Sequence, residues 1–433
     1  RKVLDENYIL QVALLDPGAR LEVEKKCIDP YFTIDHGGMC PTVDDFRDVP
    51  LLEVKPPDVV RYFVRVKPDV LDEFAARHHL TKRTQREVED EFVFQNSYTL
   101  NQQFYSSLGE KQAFVLSHAR NLIIMKIVGY AEAAVQYYSL ADTRAHVWIA
   151  HQRYPTKGRV WHPGGAHPFI GLNEALVHNG DFANYHSVSE YLAQANLFPQ
   201  FITDTEVSVM LFDLMNRVYN YPVEYIIEAL APTTELDFDR LPEEKQRIYR
   251  EIQAIHTAAS PDGPWFFIIA RNLPDKNTFQ LLGITDTAML RPQVFASMEG
   301  DVSIALVCSE KQAIDATLAS LAQEDSRFTP VADRYWNARG GSYNDGGAFI
   351  MSIVPKYGDG VPKYGEKTEY TMEITNKFGK PVAGIPGQVH YDFKQEIQAP
   401  SLKDQEADGN VIDMAIKNNN REKLYKYISK LFI

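Results

Sequence analysis

The sequence predicts an α+β fold with sheets covered by helices. WFFIIARN (265–272), FQLLGITD (279–286) and SIALVCSE (303–310) are almost continuously apolar, the pattern of strands buried on both faces. A different period marks the strongest helix. Val207, Met210, Leu211, Leu214, Met215 and Val218 recur at i, i+3, i+4, i+7, i+8 and i+11, which is one apolar helical face.

Taken in order, YILQVALLD (8–16) reads as a strand that Asp16-Pro17-Gly18 turns into a helix over 19–27. Cys40 follows His36-Gly37-Gly38-Met39 in a segment expected to be irregular. Val70 to His78 reads as a helix, and the charges from Lys82 to Glu91 as a solvated surface. FVLS and NLIIMKIVG flank Ser117-His118-Ala119-Arg120, which predicts a hairpin. A helix is expected over 131–139, then a strand, HVWIAHQRY, over 146–154.

Ser187 with Glu190, Thr203 with Glu206, and Ser309 with Gln312 match the capping box. There a hydroxyl accepts from a free N–H and the acid or amide three residues later reaches back. Residues 233–250 are acidic, then helical. Gly340-Gly341 and Gly346-Gly347 mark a boundary. The expected division is a domain over 1–330 and an extension over 331–433, with strands AFIMSIV and EYTMEIT and a final helix, Val411 to Ile433.

A chain of 433 residues with 45% hydrophobic and 24% charged residues has the composition of a folded globular protein. Its net charge of −13 argues against nonspecific nucleic-acid binding, which needs basic surface. Cys27, Cys40 and Cys308 form no C-x-x-C, so a disulfide framework is not expected and a reducing compartment, the cytoplasm, fits better. No apolar run reaches membrane-spanning length; the best candidate, Leu122 to Val128, is interrupted by Lys126 and is too short. No signal pattern opens the chain, and Arg1 in place of Met marks a processed chain or a fragment.

The stretch His146–Tyr185 is chemically unlike the rest, holding six of the 12 histidines together with His186. Its pieces are His151-Gln152-Arg153-Tyr154-Pro155-Thr156, Ala166-His167-Pro168-Phe169 and His178-Asn179-Gly180. Thr203-Asp204-Thr205-Glu206 follows. In this order they resemble the class II glutamine amidotransferases, whose nucleophile is an N-terminal cysteine. Among these the chain is most similar to the amidotransferase domain or subunit of glutamate synthase-type enzymes, over roughly residues 8 to 325.

The resemblance implies a four-layer αββα N-terminal-nucleophile hydrolase sandwich, here lacking its first strands. It also implies hydrolysis of L-glutamine to L-glutamate and ammonia through a thioester. A synthase partner carrying FMN and an iron–sulfur cluster would take the ammonia; this chain is expected to hold no cofactor. An N-methylglutamate synthase system is a related acceptor. The phosphoribosylpyrophosphate and fructose-6-phosphate types need a further synthase domain. A noncatalytic scaffold that binds glutamine without cleaving it is the alternative from another class.

The residues suit those roles. Arg153 can clamp a carboxylate bidentately, against the alternative of a strand-end ion pair. Thr156 assists that clamp or stabilises a turn. Asn179 and Gly180 suit an oxyanion hole, a side-chain amide and an unhindered N–H, against the alternative of an Asn-Gly hairpin. Asp204 matches the acid that holds the substrate ammonium, although an acid at a helix start is stabilised by the dipole alone. His178 joins the binding set and, with His151, holds the strand ends. A metal site at His162 and His167 has no matching ligand spacing.

The nucleophile is the missing part. In the family an N-terminal Cys attacks, and its α-amine, titrating near pH ~8, serves as base. Cys27 and Cys40 open no apolar strand, and Cys308 reads as a buried strand residue. The preferred expectation is a segment preceding Arg1, or a separate polypeptide, that carries the cysteine. Cleavage to expose Cys27 or Cys40 is the weakest of the alternatives.

Overall fold

A computed structural model describes residues 2–50, 52–152, 162–288, 293–356 and 369–382. Arg153 and Thr156, part of the strand expected over 146–154, and the final helix lie outside the described residues. Thirteen strands occur among the described residues. They are β1 (Tyr8–Leu14), β2 (Phe32–Met39), β3 (Asp58–Val66), β4 (Ala113–Ala119), β5 (Phe169–Ile170), β6 (Glu174–Gly180) and β7 (Trp265–Leu273). After these come β8 (Thr278–Thr285), β9 (Val294–Met298), β10 (Ile304–Cys308), β11 (Arg334–Asn337), β12 (Ala348–Pro355) and β13 (Tyr370–Asn376).

They form a four-stranded sheet β2-β3-β1-β4, a six-stranded sheet β13-β12-β8-β7-β6-β5 and a small sheet β10-β9-β11. Every strand pair is antiparallel. The mixture of helix and sheet is that of an α+β protein.

Side-chain alternation sorts the faces. Tyr8, Leu10, Val12, Val60, Tyr62 and Val64 put one face of the four-stranded sheet against Cys27 and Ile28 and the helices Pro68–Arg77 and Gln85–Phe104. In the six-stranded sheet Leu176, Phe267, Ile269, Leu282, Ile284 and Ile350 face the helices Tyr185–Ala193, Asp204–Asp213, Val223–Leu230 and Glu243–Ile255. The opposite faces turn inward. Ala13, Val59, Phe114 and Leu116 of the first sheet share a core with Ala175 of β6, while Phe349 and Met351 pack on Phe295 and Trp336 of the small sheet.

Several expectations are corrected. His36-Gly37-Gly38-Met39 lies in β2, paired to β3 across a register shift. Residues 121–129 form no strand, so the expected hairpin after β4 is absent. Residues 146–152 form none either. β10 is an edge strand, so its residues 304–306 and Cys308 are only half-buried.

The charged stretch Lys82–Glu91 opens the 20-residue helix Gln85–Phe104, where Thr84 and Glu87 make both bonds of a capping box. That helix was obscured because buried Asn96 and Ser97 interrupt its apolar face. Thr84→Ala should cost about 1 kcal/mol, read as a lower urea midpoint. Ser187 sits inside its helix, and the helix Lys311–Glu324 has no side-chain cap, so neither of those expected boxes forms. Val218 is 47% exposed. The helix widens to a π-turn over Leu214–Val218, and the extra residue per turn rotates Val218 out of the apolar stripe.

Beyond residue 331 the chain continues into the same sheets. β11 pairs with β9, and β12 pairs with β8. Lys377, just past β13, is fully buried against Glu228 of the helix Val223–Leu230. Strands on both sides of residue 331 therefore share the same sheets.

Candidate functional site

The end of β6 is where the sequence-selected residues meet. Asn179 pairs with Phe266 and Gly180 with Trp265, so Asn179-Gly180 continues the β6–β7 ladder and is not a hairpin turn. Gly180 has φ +138°, and a Cβ there would lie 1.9 Å from the Pro264 carbonyl oxygen. Only glycine fits that approach. Asn184 holds the following loop, donating to the Ser260 carbonyl (2.8 Å) and accepting from the Asp262 N–H (2.8 Å).

Beside this strand end lies the start of the helix Asp204–Asp213. The Asp204 carboxylate is 3.5 Å from Nδ1 of buried His178 and remains partly exposed. His178 Nε2 is buried with no hydrogen-bond partner among the described residues. His167 ties the parts together. Its Nδ1 accepts from the His178 N–H (3.4 Å), so the proton sits on Nε2, which donates to Thr205 Oγ1 (2.8 Å). The His151 ring stacks on His167 at 4.0 Å between centroids. Thus His178, Asn179, Gly180 and Asp204 come together, with His151 and His167 as supports.

Sequence reasoning expected Glu206 to complete a capping box with Thr203. Half of it forms: Thr203 Oγ1 accepts from the Glu206 N–H at 3.1 Å. The Glu206 carboxylate reaches further back, accepting from the N–H groups of Gln200 (2.5 Å), Phe201 (2.8 Å) and Ile202 (3.1 Å). Ile202 has φ +56°, so this carboxylate holds a turn that a β-branched residue does not favour. Burial pushes the Glu206 carboxyl up to about 7, opposed by these N–H groups and by Lys126. Burial pushes the Lys126 ammonium down to about 7, opposed by Glu206.

The two act on stability in opposite directions. The raised Glu206 contributes stability below its ordinary 4.5 that is lost as pH rises through about 7. The lowered Lys126 contributes stability above its ordinary 10.5 that is lost as pH falls through about 7.

A cavity of about 1280 Å³ opens between the inner faces of the two larger sheets. Arg61 and Phe63 of β3, Met125 and Ile127 of the segment after β4, and Ala270 and Asn272 of β7 contribute to its walls. His151, Gln152 and His167 also line it, and His167 bonds Thr205, the neighbour of Asp204. Burial disfavours the thiolate of all three cysteines. Cys27 packs against the outer helices and burial pushes its thiol up to about 11. Burial raises Cys40 and Cys308 as well.

At the opposite end of β6, buried Glu174 and Asp213 stand together. Burial and Asp213 hold the Glu174 carboxyl well above the usual range. Arg217 from the π-turn grips Asp213 with two nitrogens and also reaches Glu91 of the first helix layer. The sequence carried no sign of this network, whose members are far apart in the chain. Among the described residues no group of three or more His, Cys, Asp or Glu side chains is arranged to hold a metal ion. No helix among them is long and apolar enough to cross a membrane.

No family model matches the sequence. Over 220 residues, 51% of the chain, it is 32% identical to an uncharacterized protein of Archaeoglobus fulgidus, covering 55% of that protein. Over 109 residues, 24% of the chain, it is 33% identical to 18% of a glutamine–fructose-6-phosphate aminotransferase (isomerizing) of Bacteroides thetaiotaomicron. The chain is therefore similar in part to an amidotransferase. The matches take in about half of the first relative and under a fifth of the second.

Proposed function

We propose that this chain is the glutamine-binding body of a class II glutamine amidotransferase of the glutamate synthase type, with an N-terminal-nucleophile hydrolase fold. The supporting observation is the meeting of Asp204, His178, Asn179 and Gly180 at the end of β6, joined through His167 to the wall of the inter-sheet cavity. Asp204 would hold the substrate ammonium and Arg153, with Thr156, its carboxylate. Asn179 and Gly180 would face the oxygen that becomes negative as a thiolate attacks the side-chain amide.

The attack forms a C–S bond and expels ammonia; water then cleaves the thioester to L-glutamate and restores the thiol. That thiolate is assigned to a cysteine outside residues 1–433, on a segment that would fill part of the cavity. The ammonia would pass to a synthase partner bearing FMN and an iron–sulfur cluster. Because all three cysteines have raised thiols, a noncatalytic glutamine-binding subunit is the second reading.

Calorimetric titration with L-glutamate, D-glutamate and L-glutamine tests the binding reading. Preference for the L-amino acids is expected, with loss of at least about 2 kcal/mol in Asp204→Ala or Arg153→Ala. A chain that binds none of the three sinks this assignment. Glutamate release by the natural polypeptide containing this chain separates the catalytic reading from the noncatalytic one.

A further inference from the structure

Lys126 lies between two residues that line the cavity, Met125 and Ile127, but is itself turned into the protein and 4% exposed. Its Nζ stands 3.8 Å from the centre of the Phe169 ring, 5.5 Å from Phe201 and 6.0 Å from Phe114. Phe201 belongs to the turn whose three N–H groups bind the Glu206 carboxylate, and that turn leads directly into Asp204. One wall of the cavity and the start of the Asp204 helix therefore share a buried amine, a buried carboxyl and one aromatic side chain.

We propose that Lys126 and Glu206 are a proton-linked positioning pair for Asp204, Glu206 fixing the turn before it and Lys126 coupling that turn to the cavity wall. The ionised carboxylate grips the three N–H groups more tightly than the neutral acid does. A charged Lys126 favours that ionised form. The other titratable groups facing the pair are Tyr105 and Tyr185 toward Glu206, and His162 toward Lys126. Tyr185 also faces Asp204. Neither Lys126 nor Glu206 touches the proposed ligand. The position they set is read through the contact of Asp204 with His178, and the effect on ligand binding rests on the function proposed above.

The test is a pH titration of the full chain between about pH 5.5 and 8.5, following the His178 imidazole by NMR and exchange of the Gln200–Ile202 amides. In the wild type both should step near pH 7 once intrinsic exchange is corrected for. Lys126→Met keeps the shape and removes the charge, so the step should move to higher pH. Glu206→Gln should abolish it. Both variants should weaken L-glutamate binding about tenfold, the scale of energetic coupling through a packed network.

A step unmoved in a natively folded Lys126→Met chain, or one that persists in Glu206→Gln, overturns the proposal. Steps that behave as stated in a wild type that binds no glutamate or glutamine uphold the pair and discard the ligand reading of Asp204.

Discussion

Lys377→Met should destabilise the chain by about 3–5 kcal/mol, because it leaves the buried Glu228 carboxylate without its cation. Both side chains are fully buried. Glu228 also accepts from the Thr233 N–H (3.0 Å) and Gln253 Nε2 (2.6 Å), so it is held in place to receive the loss. The lysine stem passes beneath Gly346, where any Cβ would strike it at 2.2 Å. Burial lowers the Lys377 ammonium, with Glu228 opposing that shift.

Pairing the change with Glu228→Gln should recover about 2 kcal/mol of the combined loss, since the amide needs no cation. Urea denaturation of the four chains of this cycle measures both numbers. Purely additive losses would remove the ion pair from the account of how the segment after β13 is anchored.

Gly180→Ala is the second large effect, expected at about 3 kcal/mol or more of stability together with loss of any ligand binding at the β6 end. The methyl would meet backbone, the Pro264 carbonyl oxygen at 1.9 Å and the Trp265 Cα at 2.6 Å, in a left-handed conformation. Neither strand can yield without breaking the ladder that pairs Gly180 with Trp265. Gly38→Ala is the control. A Cβ there has no neighbour within 4 Å, and a change under about 1 kcal/mol is expected. Similar midpoint shifts for the two variants would overturn the close-approach explanation.

Local pattern made much of the fold legible. The apolar run of YILQVALLD and the apolar start of WFFIIARN mark real strands because each buries its own residues regardless of partner. The segment around Lys126 misled for the opposite reason. It is apolar because it lines a cavity and packs beneath aromatic rings, not because it pairs with a strand. The residues at the β6 end were legible through their motifs.

The bonds that support them were not. The bond from His167 to Thr205 joins positions 38 apart, and no spacing rule reports it. Glu206 was found as a cap by its offset from Thr203, but the turn it grips exists only once Ile202 adopts a positive φ.

The pairing of Gly180 with Trp265 gives this corner an optical reporter. The indole is 1% exposed, stacks on Phe267 at 4.2 Å and donates Nε1–H to the Pro261 carbonyl at 3.0 Å. Trp148 is 56% exposed, whereas Trp336 is buried in the small sheet. With Trp148, Trp161 and Trp336 replaced by phenylalanine, the remaining emission would be blue-shifted and shielded from acrylamide. Its intensity would follow any movement of the strand directly opposite Gly180. Ligand arrival at the β6 end could then be timed by stopped flow on the unlabelled chain.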